Sequence, residues 1–204
     1  MPSQGDLFSE ADRESIRLLE SSIHEDYSSI VMQVAKRRLV QDSASIVLDS
    51  KQLYDADVPK IKDMLLSESK AVQTLNLRGN VLTSEGVSSL LLSPGSSLPS
   101  TLTSLDLSDN ALELGTFAAS ILNSGKLSTL RLSKCSLSDP EIKTILAAVS
   151  PSLNVLDVSD NAVGDEASDA VYNLLSRDNS LAVLNLAKCG ISDVHGVSCA
   201  SGLR

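Results

Sequence analysis

Histidine and cysteine, which often act as catalytic bases, nucleophiles and metal ligands, are few in this chain. The two histidines, His24 and His195, lie near opposite ends of the sequence. One local cluster, Cys189, His195 and Cys199, offers thiols and an imidazole, which are ligands that zinc prefers. Its spacing matches no common zinc pattern, and it lacks a fourth ligand. We therefore expect no catalytic residue, no cofactor and no metal site, and we predict that the chain is not an enzyme.

A frame of eleven positions recurs over residues 72–191. Apolar residues occupy its first, fourth, sixth and eleventh positions, and asparagine or cysteine occupies the ninth. The clearest copy is at residues 102–112, and a degenerate copy lies at residues 45–53. The ninth positions, in chain order, are Lys51, Asn80, Asn110, Cys135, Asn161 and Cys189. They are 25 to 30 residues apart, which is long enough for a strand, a turn and a helix in each repeat.

The frame predicts one short strand in each copy. Neighbouring side chains of a strand point to opposite faces, so Leu105 and Leu107 should point inward while Asp106 points outward. A strand returns parallel to itself only through a crossover, usually a helix. The expected fold class is α/β, a leucine-rich-repeat solenoid (horseshoe arc) with a parallel β-sheet on the concave face and α-helices on the convex face. About six repeats should occupy residues 43–204, after an N-terminal tail and capping helix over residues 1–42.

Acidic residues and prolines predict where the return helices begin. Asp57 with Pro59 starts one helix, Asp139 caps another whose first residue is Pro140, and Asp165 opens a further one. The inward residues predicted for these segments are Val58, Ile61, Leu65, Val87, Leu90, Leu91, Phe117, Ala118, Ile121, Leu122, Ile142, Ile145, Leu146, Val149, Ala170, Val171, Leu174 and Leu175.

The first part of the chain contains one apolar stripe at helical spacing, after a helix N-cap predicted at Ser9. The stripe consists of Ile16, Leu19, Ile23, Tyr27, Ile30 and Val34. We interpret it as the face of a cap that covers the first repeat, because the ends of a repeat stack expose core. The alternative is a short coiled coil or a helix that binds a partner. The basic cluster Lys36, Arg37 and Arg38 then lies near the negative end of the helix dipole.

Composition narrows the classes of function. The net charge of −9 and the pI near 4.6 argue against binding to nucleic acid or to an anionic membrane, because both attract basic surfaces. Three cysteines, two of them at the interior ninth position, indicate a reducing compartment. The first residues are not those of a signal peptide, and no apolar run is long enough to span a bilayer. We therefore expect a cytoplasmic protein.

The copies at residues 105–112 and 158–166 resemble the ribonuclease-inhibitor-like class of leucine-rich repeats. The resemblance covers about residue 45 to the C-terminus and includes the mixture of asparagine and cysteine at the ninth position. It implies a non-enzymatic scaffold that binds a protein partner of unknown identity. Relatives imply two alternatives, a GTPase-activating or regulatory protein similar to the Ran GTPase-activating protein, and a structural component of a cytoskeletal or axonemal complex. GTP turnover and filament co-sedimentation assays would distinguish them.

The C-terminal end departs from those relatives. Residues 192–204 are poor in apolar residues, and no polar cap follows them. Either the sequence is a fragment, or this uncapped end meets another subunit. Self-association through the C-terminal end is the corresponding prediction.

The outward positions of the strands and the turns after them form the predicted protein-binding concave face. Its candidate residues are Asn76, Arg78, Asp106, Asp109, Arg131, Lys134, Asp157, Asp160, Asn185 and Lys188. Charges alternate in sign between neighbouring copies, and in-register strands place them about 4.8 Å apart. One interpretation is a pair of cross-strand charge ladders, each pair contributing roughly 0.2–1 kcal/mol. The other is a mixed-charge docking surface for a polar partner.

The asparagine at the ninth position should be structural, so Asn110→Ala is expected to destabilise the fold far more than Asn123→Ala. An interior amide bonds backbone groups that the turn leaves unpaired, and each unmet group costs roughly 1–3 kcal/mol. Cysteine at this position is smaller and donates only weakly through its S–H. Urea unfolding of the two variants measures the difference, and equal midpoints would contradict a structural role.

Overall fold

The computed structural model of the chain describes residues 10–41, 44–67, 72–92, 101–113, 122, 126–177 and 179–192. Within these ranges, short parallel strands form one sheet in chain order. The strands are β1 (Ser45–Val47), β2 (Thr74–Asn76), β3 (Ser104–Asp106), β4 (Thr129–Arg131), β5 (Val155–Asp157) and β6 (Val183–Asn185). The predicted register is confirmed, since the inward residues Leu75, Leu105, Leu130, Leu156 and Leu184 pair side by side.

Helices connect β1 to β2, β2 to β3, β4 to β5 and β5 to β6, as the crossover rule requires. Most of the connection between β3 and β4 lies outside the described residues. The described α-helices are α1 (Glu10–Gln41), α2 (Val58–Ser67), α3 (Ser84–Leu92), α4 (Asp139–Ala147) and α5 (Ser168–Ser176). Short 3₁₀ helices at Asp55–Asp57 and Asp165–Ala167 lead into α2 and α5. None of the helices in the described part of the chain is long and apolar enough to cross a bilayer.

The inward side chains of strands and helices pack into one continuous core. Leu75, Leu105, Leu130 and Leu156 are fully buried, and the predicted inward residues of α2 to α5 are buried or partly buried. Leu122 is buried as well. The predicted inward residues Phe117, Ala118 and Ile121 lie outside the described residues, as do Ser9 and residues 193–204. The last strand is covered less completely, because Leu184 and Leu186 are only partly buried.

The start of α4 differs from the prediction that Asp139 caps it. Ser138 is the N-cap residue, and its N–H donates to Glu141 Oε2 at 2.8 Å. The Asp139 carboxylate instead accepts the N–H of Gly164, in the next repeat, at 2.6 Å. Equivalent bonds join Asp55 to Thr83 at 2.9 Å and Asp165 to Ser192 at 2.8 Å. An aspartate near the start of one helix thus binds the backbone of the following repeat.

The ninth-position asparagines bind each repeat to the one before it, as predicted. Asn110 Nδ2 donates to the Leu77 carbonyl at 3.0 Å, and its Oδ1 accepts the Leu82 N–H at 3.1 Å. The other two ninth-position amides make the equivalent bonds. The proposed control residue Asn123 lies outside the described residues. Exposed Asn173, on α5, serves the same purpose.

Cysteine at the ninth position makes one of the hydrogen bonds to the preceding repeat that asparagine makes there. Cys135 Sγ donates to the Leu107 carbonyl and Cys189 Sγ donates to the Val158 carbonyl, each at 3.3 Å. In both cases the acceptor belongs to the preceding repeat, so the thiol replaces one donor of the amide. The degenerate copy with Lys51 at this position provides β1, which lies at the edge of the sheet, as expected.

The apolar stripe of α1 does not cover the first repeat, contrary to the prediction. All six stripe residues are exposed, from 39% for Ile16 to 67% for Ile23. The helix contacts α2 and β1 through a different face, in which Ser28 and Met32 are buried and Val31 and Ala35 are partly buried. At 3.6 residues per turn, the centres of the two faces lie roughly a third of a turn apart.

A buried carboxylate, that of Asp57, bonds α1 to the repeats. Asp57 is 1% exposed, and its Oδ2 lies 2.7 Å from His24 Nε2 and accepts the Tyr54 N–H at 3.0 Å. Lys60 Nζ lies 3.5 Å from Asp57 Oδ1 and donates to Ser28 Oγ at 2.6 Å. Burial by itself would raise the pKa of the Asp57 carboxyl, but the bonds from Tyr54 and His24 lower it below its usual value.

The lowered pKa of Asp57 predicts a pH-dependent contribution to stability. The unfolded carboxyl titrates near 3.9, so the contribution is complete above about pH 4 and is lost as the pH falls through the lower folded value. We expect Asp57→Asn to cost about 1–3 kcal/mol at neutral pH. The gap in unfolding free energy between wild type and variant should narrow below about pH 4. Urea unfolding across this range measures the gap, and a constant gap would refute the assignment.

Candidate functional site

Two rows of residues run across the outward face of the sheet. The fifth-position row contains Val47, Asn76, Asp106, Arg131, Asp157 and Asn185, which pair in register. The eighth-position row contains Ser50, Gly79, Asp109, Lys134, Asp160 and Lys188. Nine of the ten candidate residues belong to these rows, and Arg78 stands at a seventh position between them. The structure thus brings the predicted face together on one side of the sheet.

The carboxylates of the fifth-position row accept hydrogen bonds from the backbone of their own repeat. Asp106 Oδ1 accepts the N–H of Ser108 at 2.9 Å, and Asp157 Oδ1 accepts the N–H of Ser159 at 3.0 Å. Asn76 and Asn185 accept the N–H two residues further on in the same way. Short Asp and Asn side chains commonly make this turn. The recurring Asp-x-Ser spacing was the sequence signal for it, and the sequence interpretation missed it.

Arg131 is the one charged residue of this row that stays unpaired among the described residues. Asp106 and Asp157 flank it in register, but neither forms an ion pair with it. Its side chain is exposed, and a guanidinium carries five N–H donors. The predicted in-register alternation of charge is present in this row, but no ion pair joins Arg131 to either neighbour among the described residues. The exposed N–H donors of Arg131 therefore lie between two acidic residues in the middle of the sheet.

The eighth-position row has an unusual backbone that charge patterning does not reveal. All of its six residues adopt positive φ, from 53° at Ser50 to 65° at Gly79. The N–H of Asp109 donates to the Ser133 carbonyl of the next repeat at 2.8 Å, and the equivalent bond recurs along the row. Non-glycine residues adopt this conformation at a cost of roughly 1–2 kcal/mol. The stacked hydrogen bonds hold these turns in place, so the side chains that follow the strands project from a fixed backbone.

Ion pairs do form along the eighth-position row. Arg78 Nη2 lies 2.7 Å and Lys134 Nζ lies 3.8 Å from the carboxylate of Asp109, and Lys188 Nζ lies 3.2 Å from Asp160. The cations are more than half exposed, so each pair adds at most about 1 kcal/mol to stability. The charge ladder predicted for this row is therefore found, although no described ion pair joins Lys134 to Asp160.

The two described cysteines are not suited to nucleophilic or metal chemistry. Cys135 and Cys189 are buried and free. Burial raises the pKa of the Cys135 thiol to about 12, with nearby Asp106 and Asp109 acting in the same direction, and burial also raises the pKa of Cys189. Among the described residues no group of His, Cys, Asp and Glu is placed to hold a metal ion. His195 and Cys199 lie outside them.

Thiol labelling should report the burial of the ninth position. A Cys199→Ser variant is expected to take up no maleimide at mildly alkaline pH while folded, because the neutral buried thiols are neither nucleophilic nor accessible. After unfolding in urea it should take up two equivalents. Intact mass spectrometry counts the labels, and rapid labelling of folded Cys135 would contradict its place in the core.

Comparison with known proteins agrees with this architecture. A family described as Leucine Rich repeat matches residues 69–91, 99–113 and 149–167. These segments contain β2, β3 and β5 and the asparagine of each of those repeats. No curated protein matches the chain. The family matches, together with the parallel sheet and its crossover helices, support a leucine-rich-repeat protein.

Proposed function

We propose that the chain is a non-enzymatic scaffold that binds a protein partner through the outward face of its sheet. Leucine-rich-repeat domains are generally protein-interaction modules, which supports the class of function. The observation that carries the proposal is Arg131, whose exposed guanidinium has no partner among the described residues. Arginine is enriched at protein–protein interfaces and at the residues that contribute most to binding.

The chemistry of the face favours a polar partner of mixed charge. Its candidate residues include four cationic and four acidic side chains, so it is balanced although the chain carries a net charge of −9. Association would therefore depend on local complementarity rather than on the overall field. Arg131 offers donors, while Asp106 and Asp157 each retain acceptor capacity beside it. The partner should present carbonyl or carboxylate oxygens to the arginine and donors to the two aspartates.

The shape of the domain is part of the proposal. Helices are wider than strands, so we infer that the stack curves into an arc with the sheet on the concave side. The same geometry would make Arg131 a central residue of a concave surface. We also propose that α1 closes the first repeat through Ser28 and Met32, the residues that it buries against the repeats. The compartment we propose is the cytoplasm, which accords with free, buried cysteines.

Affinity capture would identify the partner and test the surface in one experiment. The baits are the wild-type chain, Arg131→Glu and the matched control Lys143→Glu, which makes the same charge change on α4. Among the described residues, the one ion pair of Lys143 is exposed and joins it to Glu166, 3.5 Å away, so its loss should be nearly neutral. A partner of the proposed face is retained by wild type and by the control but is lost by Arg131→Glu.

Binding kinetics with the captured partner then give the quantitative test. Arg131→Glu should lower the association rate by roughly tenfold at low salt and weaken its salt dependence. Arg131→Glu should lower the unfolding free energy by roughly 0.2–1 kcal/mol for each of the two like-charged neighbours, Asp106 and Asp157, that it then faces across the sheet. Arg131→Gln removes the charge without adding repulsion and should show a smaller effect of the same sign. Unchanged affinity in both variants, with the fold intact, would exclude Arg131 from the site.

A further inference from the structure

Three neighbouring residues of the fifth-position row carry hydrogen-bonding groups that no described residue contacts. Asp106 and Asp157 each accept a backbone N–H through Oδ1, and Asp157 Oδ1 also accepts the hydroxyl of Ser159 at 2.7 Å. Neither Oδ2 oxygen has a partner among the described residues, and the guanidinium of Arg131 has none there either. An acidic, a basic and an acidic side chain thus follow one another across β3, β4 and β5.

The charges of the eighth-position row are in a different state, because most of them are already in contact with the opposite sign. The Asp109 carboxylate lies 2.7 Å from Arg78 and 3.8 Å from Lys134. Asp160 lies 3.2 Å from Lys188. A partner that bound these groups would have to compete with the pairs that they already form. The fifth-position row is therefore the part of the face where a partner can match charge without breaking an ion pair.

The spacing of the three free groups selects the kind of segment that can bind all of them. In-register parallel strands lie about 4.8 Å apart, so Asp106 and Asp157 are about 9.6 Å apart with Arg131 midway. Positions i, i+3 or i+4, and i+7 of an α-helix lie on one face and span about 10.5 Å. Three alternate residues of an extended strand span about 13 Å. The row therefore matches one face of a helix more closely than one face of a strand.

Small side chains beside the charged row leave room for a helix. The third position of the frame also points outward, and in β3, β4 and β5 it is Ser104, Thr129 and Val155, each partly buried. None of the outward residues of the described strands is aromatic. A helix with its side chains is about 10–12 Å wide, so one that lies along the fifth-position row also covers the third-position row.

We propose that the outward face of the sheet binds an α-helix of its partner, which lies across β3, β4 and β5. The face of that helix carries a cationic, an acidic and a cationic residue at positions i, i+3 or i+4, and i+7. Its acidic residue pairs with Arg131, and its cationic residues pair with Asp106 and Asp157. This inference rests on the proposed function, because it names the form and the charge pattern of the partner that the same face binds.

Photo-crosslinking tests the form of the bound segment. A benzophenone amino acid is placed at Ser104, Thr129 or Val155 in turn in the full chain, which leaves the charged row intact. Each variant is irradiated with the partner obtained by affinity capture, and mass spectrometry locates the crosslinked residues of the partner. Neighbouring strands should crosslink to partner residues three or four apart in one continuous segment. Crosslinks two residues apart, crosslinks to separate segments, or no crosslink from any position would overturn the proposal.

Charge removal at the two aspartates tests the pairing. Asp106→Asn and Asp157→Asn should keep the turn, because Asn76 and Asn185 make the same turn through their Oδ1 atoms. Each variant should raise the Kd for the partner about two- to fivefold at low salt, which corresponds to the loss of one exposed ion pair. Asp63→Asn makes the same charge change at an exposed position of α2 and should leave the Kd unchanged.

The outcomes separate this inference from the proposed function. If Arg131→Glu binds the partner as tightly as wild type, the face is not the binding site and the proposed function fails. If Arg131→Glu loses the partner while Asp106→Asn and Asp157→Asn bind it like wild type, the face is the site but its occupant lacks the two cations. In that case the proposed function stands and the helix with this charge pattern is excluded.

Discussion

The fold depends on hydrogen bonds that each repeat makes to the repeat before it. The ninth-position amides accept N–H groups and donate to carbonyls across that boundary, and they are almost fully buried. A single repeat therefore cannot pair all the backbone N–H and C=O groups of its turn, because some of their partners belong to the neighbouring repeat. Cooperativity between neighbours follows directly, and it explains why a degenerate copy is found at the edge of the sheet, where one neighbour is absent.

The same dependence on neighbours shapes the outward face. Backbone hydrogen bonds continue from the strands through the eighth-position turns, which hold lysine and aspartate in a backbone conformation that these residues disfavour. Asp106 and Asp157 are bound to their own turns, so they do not neutralise the arginine between them. The two carboxylates thus accept hydrogen bonds from their own backbone instead of pairing with Arg131. Among the described residues of this row, Arg131 and the free acceptor positions beside it remain without a partner.

Helix α1 has two different faces, one packed on the repeats and one exposed. Its buried face is small and partly polar, and Asp57, His24 and Lys60 fasten it to the repeats. Its larger apolar face points elsewhere. Because this attachment is short and polar, the long apolar stripe stays exposed. The face that attaches α1 to the repeats is therefore distinct from its exposed apolar stripe.

The sequence by itself determined the repeat, the strand register and the inward side chains. The alternation of Leu105, Asp106 and Leu107 allows only one face to be buried, and a register shift of one residue would expose the core. It also determined the role of Asn110, because a buried amide must be paired. Tertiary structure decided which side of α1 packs on the repeats. Apolar spacing identifies an apolar face of a helix but not the element that packs against the helix. The spacing of Ser28 and Met32 gave no indication that they would be buried. Tertiary structure also decided which charged side chains form ion pairs, because some carboxylate oxygens already accept hydrogen bonds from the backbone.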